Sequence, residues 1–164
     1  MGERKVFVPP EYVSSEQNLI FLAGPIQGTS DWQSDAIKIL TALKPNVCIA
    51  SPRRKKFENV SYDEQVEWET ENLRKAGKNG VIMFWLASES EQIPGRSYAQ
   101  TTRAELFEWK VRHERDGAKI ILGIEEGFSG SRYIRKRFNQ DCPEVLILDS
   151  LVLTCKKALE MLEI

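Results

Sequence analysis

The sequence predicts a doubly wound α/β fold: one domain over residues 1–164, with five parallel strands in the order 2-1-3-4-5 and helices on both faces. Three observations predict it. Short apolar runs alternate with amphipathic segments at intervals that suit right-handed strand–helix–strand units. The run Val81-Ile82-Met83-Phe84-Trp85-Leu86 lacks alternation, as a central strand covered on both faces does. A chain of 164 residues is also long enough to bury a core without disulfide staples.

The elements follow in chain order. Residues 1–17 form an arm or edge strand around Val6-Phe7-Val8, which Pro9-Pro10 ends. Leu19-Ile20-Phe21-Leu22-Ala23 is the first core strand. It is closed by Gly24-Pro25-Ile26-Gln27-Gly28 and followed by a helix from near Ser30, carried by Ile37, Leu40 and Leu43. Pro45-Asn46 stops that helix, and Val47-Cys48-Ile49-Ala50 is the second strand. After the basic loop Ser51-Pro52-Arg53-Arg54-Lys55-Lys56, Ser61-x-x-Glu64 caps a second helix. Its packing face is Val66, Leu73 and Ala76, and Tyr62, Gln65, Glu69 and Asn72 make a polar stripe beside it. Val81–Leu86 is the third strand. A polar loop broken by Pro94 and Gly95 leads to a third helix, which has Thr102 as expected cap and Ala104, Phe107 and Val111 on its packing side. Lys119–Ile124 and Val145–Leu148 complete the sheet around a short basic helix at 131–139. A last helix turns Val152, Cys155, Leu159 and Leu162 inward.

Composition narrows the function. With 23 basic and 24 acidic residues the chain carries no broad field for a nucleic-acid polymer or an anionic membrane, so the expected partner is small. Cys48, Cys142 and Cys155 are odd in number and show no C-x-x-C spacing, which points to reduced thiols in the cytoplasm and implies neither a metal nor a cofactor. No stretch approaches a membrane span.

In an open parallel sheet, ligands bind beyond the carboxyl ends at the point where strand order reverses. Gly24, Pro25 and Ile26, the Arg53-Arg54 pair and the third helix converge there. Gln27, Asp31 and Trp32, just past the first strand, are candidates to line the pocket. The turn Ala23-Gly24-Pro25-Ile26-Gln27-Gly28 lacks the full G-x-G-x-x-G and any G-K-[ST], so redox and nucleoside-triphosphatase readings fall back. Arg53 and Arg54 have forks that suit a carboxylate, a phosphate or a base edge, whereas Lys55 and Lys56 read as a solvated run. Glu105, in the expected first turn of the third helix, has two readings. As the partner of Thr102 it closes a capping box, and as an ionised carboxylate at a positive helix end it is a nucleophile.

The ordered pieces Phe21-Leu22-Ala23-Gly24-Pro25-Ile26, Ser51-Pro52-Arg53-Arg54, Glu64-Gln65-Val66-Glu67-Trp68-Glu69 with Asn72-Leu73, Phe84-Trp85 and Tyr98-Ala99-Gln100-Thr101-Thr102-Arg103-Ala104-Glu105-Leu106 resemble the nucleoside 2-deoxyribosyltransferases and their nucleotide N-glycosidase relatives. The resemblance spans roughly residues 19 to 125 and implies a flavodoxin- or Rossmann-like sheet. In that family a Glu in an E-L-G motif attacks C1′ of the deoxyribose, releases the base and passes the sugar to a second base. That Glu falls on Glu105. Three departures stand out. Phe107 replaces the motif's Gly, Asn72 stands where many members carry an Asp that handles the leaving base, and Phe21 replaces a Tyr. An amide cannot act as a general acid, so Glu69 is the expected proton donor and Tyr98 the expected hydroxyl beside the nucleophile.

The resulting expectation is a deoxyribosyl transfer between nucleosides and free nucleobases through a covalent glycosyl-Glu105. Glu69, Asn72 and Tyr98 assist, and Gly24, Pro25, Ile26, Gln27, Asp31, Trp32, Arg53, Arg54, Gln65 and Thr102 surround the substrate. One alternative is a nucleoside 5′-monophosphate N-glycosidase with Arg53, Arg54 or Arg103 on the phosphate. The other is a non-catalytic nucleotide-binding module. A homo-oligomer is expected from the family and from the aromatic surplus of the third helix, where Phe107 and Trp109 cannot both face one sheet. His113 is expected at the surface.

Overall fold

The computed structural model describes residues 5–12, 18–55 and 59–163. Its elements in chain order are β1 (Val6–Phe7), β2 (Leu19–Ala23), α1 (Trp32–Leu43), β3 (Cys48–Ala50), α2 (Tyr62–Asn79), β4 (Val81–Leu86), α3 (Gln100–Asp116), β5 (Ile120–Ile124), α4 (Ser131–Asp141), β6 (Ile147–Leu148) and α5 (Leu151–Leu162). They build a single parallel sheet in the order β1-β3-β2-β4-β5-β6. The expected five-strand order is therefore present with a sixth strand added. Val6 and Phe7 pair with Ile49 and Ala50 and cover the edge that β3 would otherwise expose.

Strand β4 is buried at every position and pairs on both sides, with β2 and β5. That is why it carries no alternation. Residues of opposite parity feed two cores. Phe21, Ile82, Phe84 and Leu122 meet Trp68, Leu73, Leu106, Trp109 and Phe138 from α2, α3 and α4. Ile20, Leu22, Met83, Trp85 and Ile121 meet Trp32, Leu40, Cys155 and Leu159 from α1 and α5. At about 25 cal/mol per Å² of apolar surface removed from water, these two layers are the main source of stability.

Several local expectations shift. Helix α1 begins at Trp32, with Asp31 as its cap accepting from the Ser34 N–H, and Leu43, Val66 and Val152 lie exposed at the ends or outer faces of their helices. The Ser61–Glu64 capping box of α2 forms as expected. The one expected around Thr102 does not. Helix α3 starts a turn earlier at Gln100, with Ala99 left-handed at its cap and no side-chain cap bond, so Thr102 is an internal buried residue. The inward face of α3 is Thr102, Leu106, Trp109 and Lys110 rather than Ala104 and Val111. Lys56 lies outside the described residues.

The two aromatics of α3 are both accommodated within one chain. Trp109 lies against α2, where a Cβ on Gly77 would fall 2.3 Å from its ring, and Phe107 packs beside Tyr133 and Phe138 of α4. The Lys110 side chain, only 2% exposed, ends on Asp141 at 2.5 Å and Glu114 at 3.3 Å, tying α3 to the end of α4. Its position inside the apolar stripe is legible in sequence only once the true face of α3 is known. His113 is half-buried, with Nδ1 2.8 Å from the Ala118 carbonyl and Nε2 2.7 Å from Glu144.

Candidate active site

Helices α2 and α3 both start at the carboxyl edge of the sheet and pack on the same face, so residues in their second turns meet beside that edge. Glu69 comes from α2 and Glu105 from α3, and both are half-buried. Burial, then the charges of Glu69 and Glu108, push the Glu105 carboxyl up to about 8. The expectation that a helix N-terminus keeps Glu105 ionised is thus overturned. With α3 beginning at Gln100, Glu105 is past the first turn, where the helix field has faded, and lost hydration decides.

Glu69 is also raised by burial, but less freely. Gln65, one turn earlier, donates Nε2 to Glu69 Oε1 at 2.8 Å, and the charge of Arg54 opposes the rise as well. The same Gln65 amide donates to the Pro52 carbonyl at 3.0 Å. Asn72, two turns beyond Gln65, is fully buried and donates Nδ2 to the Trp68 carbonyl at 2.9 Å. Both orientations are fixed, since flipping either amide would set oxygen against oxygen. The remaining oxygens, Gln65 Oε1 and Asn72 Oδ1, are buried without a hydrogen-bond partner.

Other candidates hold the frame. Arg53 donates Nε to Gln33 Oε1 at 2.9 Å and Nη2 to the Ile26 and Ser30 carbonyls, each at 3.2 Å, and pairs with Asp31 at 3.0 Å. It fixes the turn after β2. Gln33, which sequence reasoning missed, is the buried partner that aims it. Trp32 is buried with Nε1 on the Pro25 carbonyl at 2.8 Å, and a Cβ on Gly24 would lie 2.5 Å from its ring. That makes Trp32 a packing residue under the turn rather than a pocket wall. Ile26 is half-buried and Gln27 exposed. The Tyr98 hydroxyl donates to the Ala87 carbonyl, which ties it to the loop after β4 and not to Glu105. Arg103 donates to the Tyr98 carbonyl and twice to Ser129 while stacking over Phe128. Arg54 is exposed and donates Nη1 to the Val60 carbonyl at 2.7 Å.

A groove of about 610 Å³ follows the solvent side of α2 past Val66, Thr70 and Arg74, but it includes neither carboxyl group. Among the described residues no group of three His, Cys, Asp or Glu side chains is placed to hold a metal. Likewise, none of their helices is long and apolar enough to cross a membrane.

A pair of half-buried carboxyl groups at the carboxyl edge of a parallel sheet is an arrangement that glycosidic-bond chemistry can use. The model of the family described as nucleoside 2-deoxyribosyltransferase like matches residues 17–126. The chain belongs to this family. The nucleoside 2-deoxyribosyltransferase-like match runs from just before β2 to the loop after β5, and so contains Gln65, Glu69, Asn72 and Glu105. A search of curated proteins returns no match. Members of this family are in general enzymes that act on nucleosides and nucleobases.

Proposed function

We propose that the protein is a nucleoside 2-deoxyribosyltransferase in which Glu105 is the nucleophile and Glu69 the acid–base partner. The observation that carries the reading is the Glu105–Glu69 pair itself: two half-buried carboxyl groups from different helices at the carboxyl edge of the sheet, with the charge of Glu69 acting on Glu105. With Glu105 pushed up to about 8, the pair holds a proton at neutral pH.

That proton is the one the leaving base needs. At rest it sits on Glu105, while Gln65 and Arg54 favour the charged form of Glu69. As substrate binds, the proton passes to Glu69 and frees the Glu105 carboxylate. A Glu105 oxygen then bonds to C1′ as the C1′–N bond breaks, and the bond's electron pair goes to the base nitrogen, which takes the proton from Glu69. A second base reverses each step. Its nitrogen bonds to C1′, its proton returns to Glu69, and the ester to Glu105 breaks. Atoms and charge balance with no further reactant.

The nucleoside is favoured over the 5′-monophosphate because two of the three arginines offered for a phosphate are spent on protein acceptors: Arg53 on Gln33, Ile26, Ser30 and Asp31, and Arg103 on Tyr98 and Ser129. Incubation of a 2′-deoxynucleoside with a different free base tests the reading. A new deoxynucleoside is expected. Equal or faster release from the 5′-monophosphate, with no exchange, would instead support the hydrolase.

A further inference from the structure

Resting on that reading, we infer that the α2 wall of the site selects nucleobases bearing an exocyclic amino group over their oxo counterparts. Gln65, Glu69 and Asn72 fall at i, i+4 and i+7, on one stripe of α2. Both N–H groups of Gln65 are committed, to Pro52 and Glu69, and one of the two on Asn72 is committed to Trp68. The atoms that the two amides leave for a ligand to satisfy are oxygens, Gln65 Oε1 and Asn72 Oδ1. The two amide oxygens are buried and unpartnered.

A buried acceptor without a donor is costly, and two within two turns of one helix are unusual unless a ligand satisfies them. The ligand that fits offers N–H groups. An amino group on adenine, cytosine or guanine supplies two, whereas the carbonyl of hypoxanthine or uracil at the same place sets oxygen against oxygen. A site built to accept from an amino group rejects the analogue lacking it, because its own groups are then left unpaired. Arg54, the cation that faces Glu69, comes from the loop after β3 rather than from this stripe, and Glu105 faces it from α3.

The test compares two matched pairs, 2′-deoxyadenosine with 2′-deoxyinosine and 2′-deoxycytidine with 2′-deoxyuridine, by kcat/KM for base release. Binding of free adenine and hypoxanthine to the intact protein is measured alongside by calorimetry. In whichever pair is turned over faster, the amino member is expected to lead at least tenfold, and Gln65→Met is expected to pull that ratio toward one even as overall rate falls. A ratio near one, or an oxo preference, overturns the inference while leaving the transferase reading standing. Binding that favours adenine with no turnover of any nucleoside supports the inference and removes the catalytic reading. The absence of both turnover and base binding overturns both.

Discussion

Gln65 stands one turn before Glu69 on α2 and donates its amide to that carboxylate at 2.8 Å, while Glu105 across the site receives no comparable bond from the described side chains. This asymmetry sorts the two carboxyl groups into roles. The group with a donor is held toward its charged form, and the one without holds the proton.

The first prediction is a bell-shaped pH dependence of kcat/KM. The singly protonated pair is the active form, so activity falls on the alkaline side as the last proton leaves near pH 8, and on the acid side as Glu69 takes up a second. Glu69→Gln removes both the proton donor and the neighbouring charge. Its alkaline limb is expected to vanish and its rate to rise with pH from a lower midpoint. A wild-type rate that climbs through pH 8 to a plateau would mean that Glu105 works without a shared proton.

The second concerns stability. Folding raises the Glu105 pKa from 4.5 to about 8, so between those values the folded chain binds more protons than the unfolded one, and stability drains away as pH rises. Glu105→Gln has no such penalty. The variant and wild type are expected to melt alike below pH 4.5, with the variant gaining progressively above it. The gain should reach about 2–3 kcal/mol by pH 9, less than the full shift implies because the half-buried carboxylate retains some water. Thermal melts across pH 4–9 measure it.

How much of this was legible in the sequence divides by physical cause. The sheet order followed from apolar runs, whose burial on both faces is a property of the run itself. The two-residue strand β1 is too short to carry a pattern and needs the edge of β3 to exist. At the site, the Ser61–Glu64 box is a local motif and formed, whereas the similar Thr102–Glu105 spacing did not, because α3 begins at a left-handed Ala99 that no residue preference announces. Glu69 and Glu105 were nameable one by one. The field of Glu69 on Glu105 was not, since it depends on how α2 and α3 pack, with Gly77 of one against Trp109 of the other.

That packing supplies the third prediction. In an ordinary helix interior Gly→Ala stabilises by about 1 kcal/mol. At Gly77 the new Cβ would sit 2.3 Å from Cζ3 and 2.7 Å from Cη2 of the buried Trp109, so Gly77→Ala is expected to destabilise by about 1–3 kcal/mol. Chemical denaturation gives the sign. A more stable variant would show that α2 and α3 are not in this contact.

The fourth is Asn72→Asp. As a neutral acid the Asp still donates to the Trp68 carbonyl, but once ionised it turns a buried charge on that carbonyl, beside Glu69 on the same stripe. The variant is expected to fold at pH 5 and lose stability toward pH 8, with its pH–rate profile displaced from wild type. An unchanged profile together with an unchanged melting curve would place Asn72 away from the reacting groups.

The central claim rests on Glu105, and base exchange by Glu105→Gln tests it most directly. Wild type and variant are incubated with a 2′-deoxynucleoside and a second free base, with the intact protein mass recorded in parallel. Turnover in the variant is expected to fall at least a thousandfold with its fold intact, wild type is expected to carry a trapped deoxyribosyl adduct, and Glu108→Gln, on the outer side of the same helix, is expected to remain active. Near-normal exchange by Glu105→Gln, with no sugar adduct on the wild-type chain, would contradict the account.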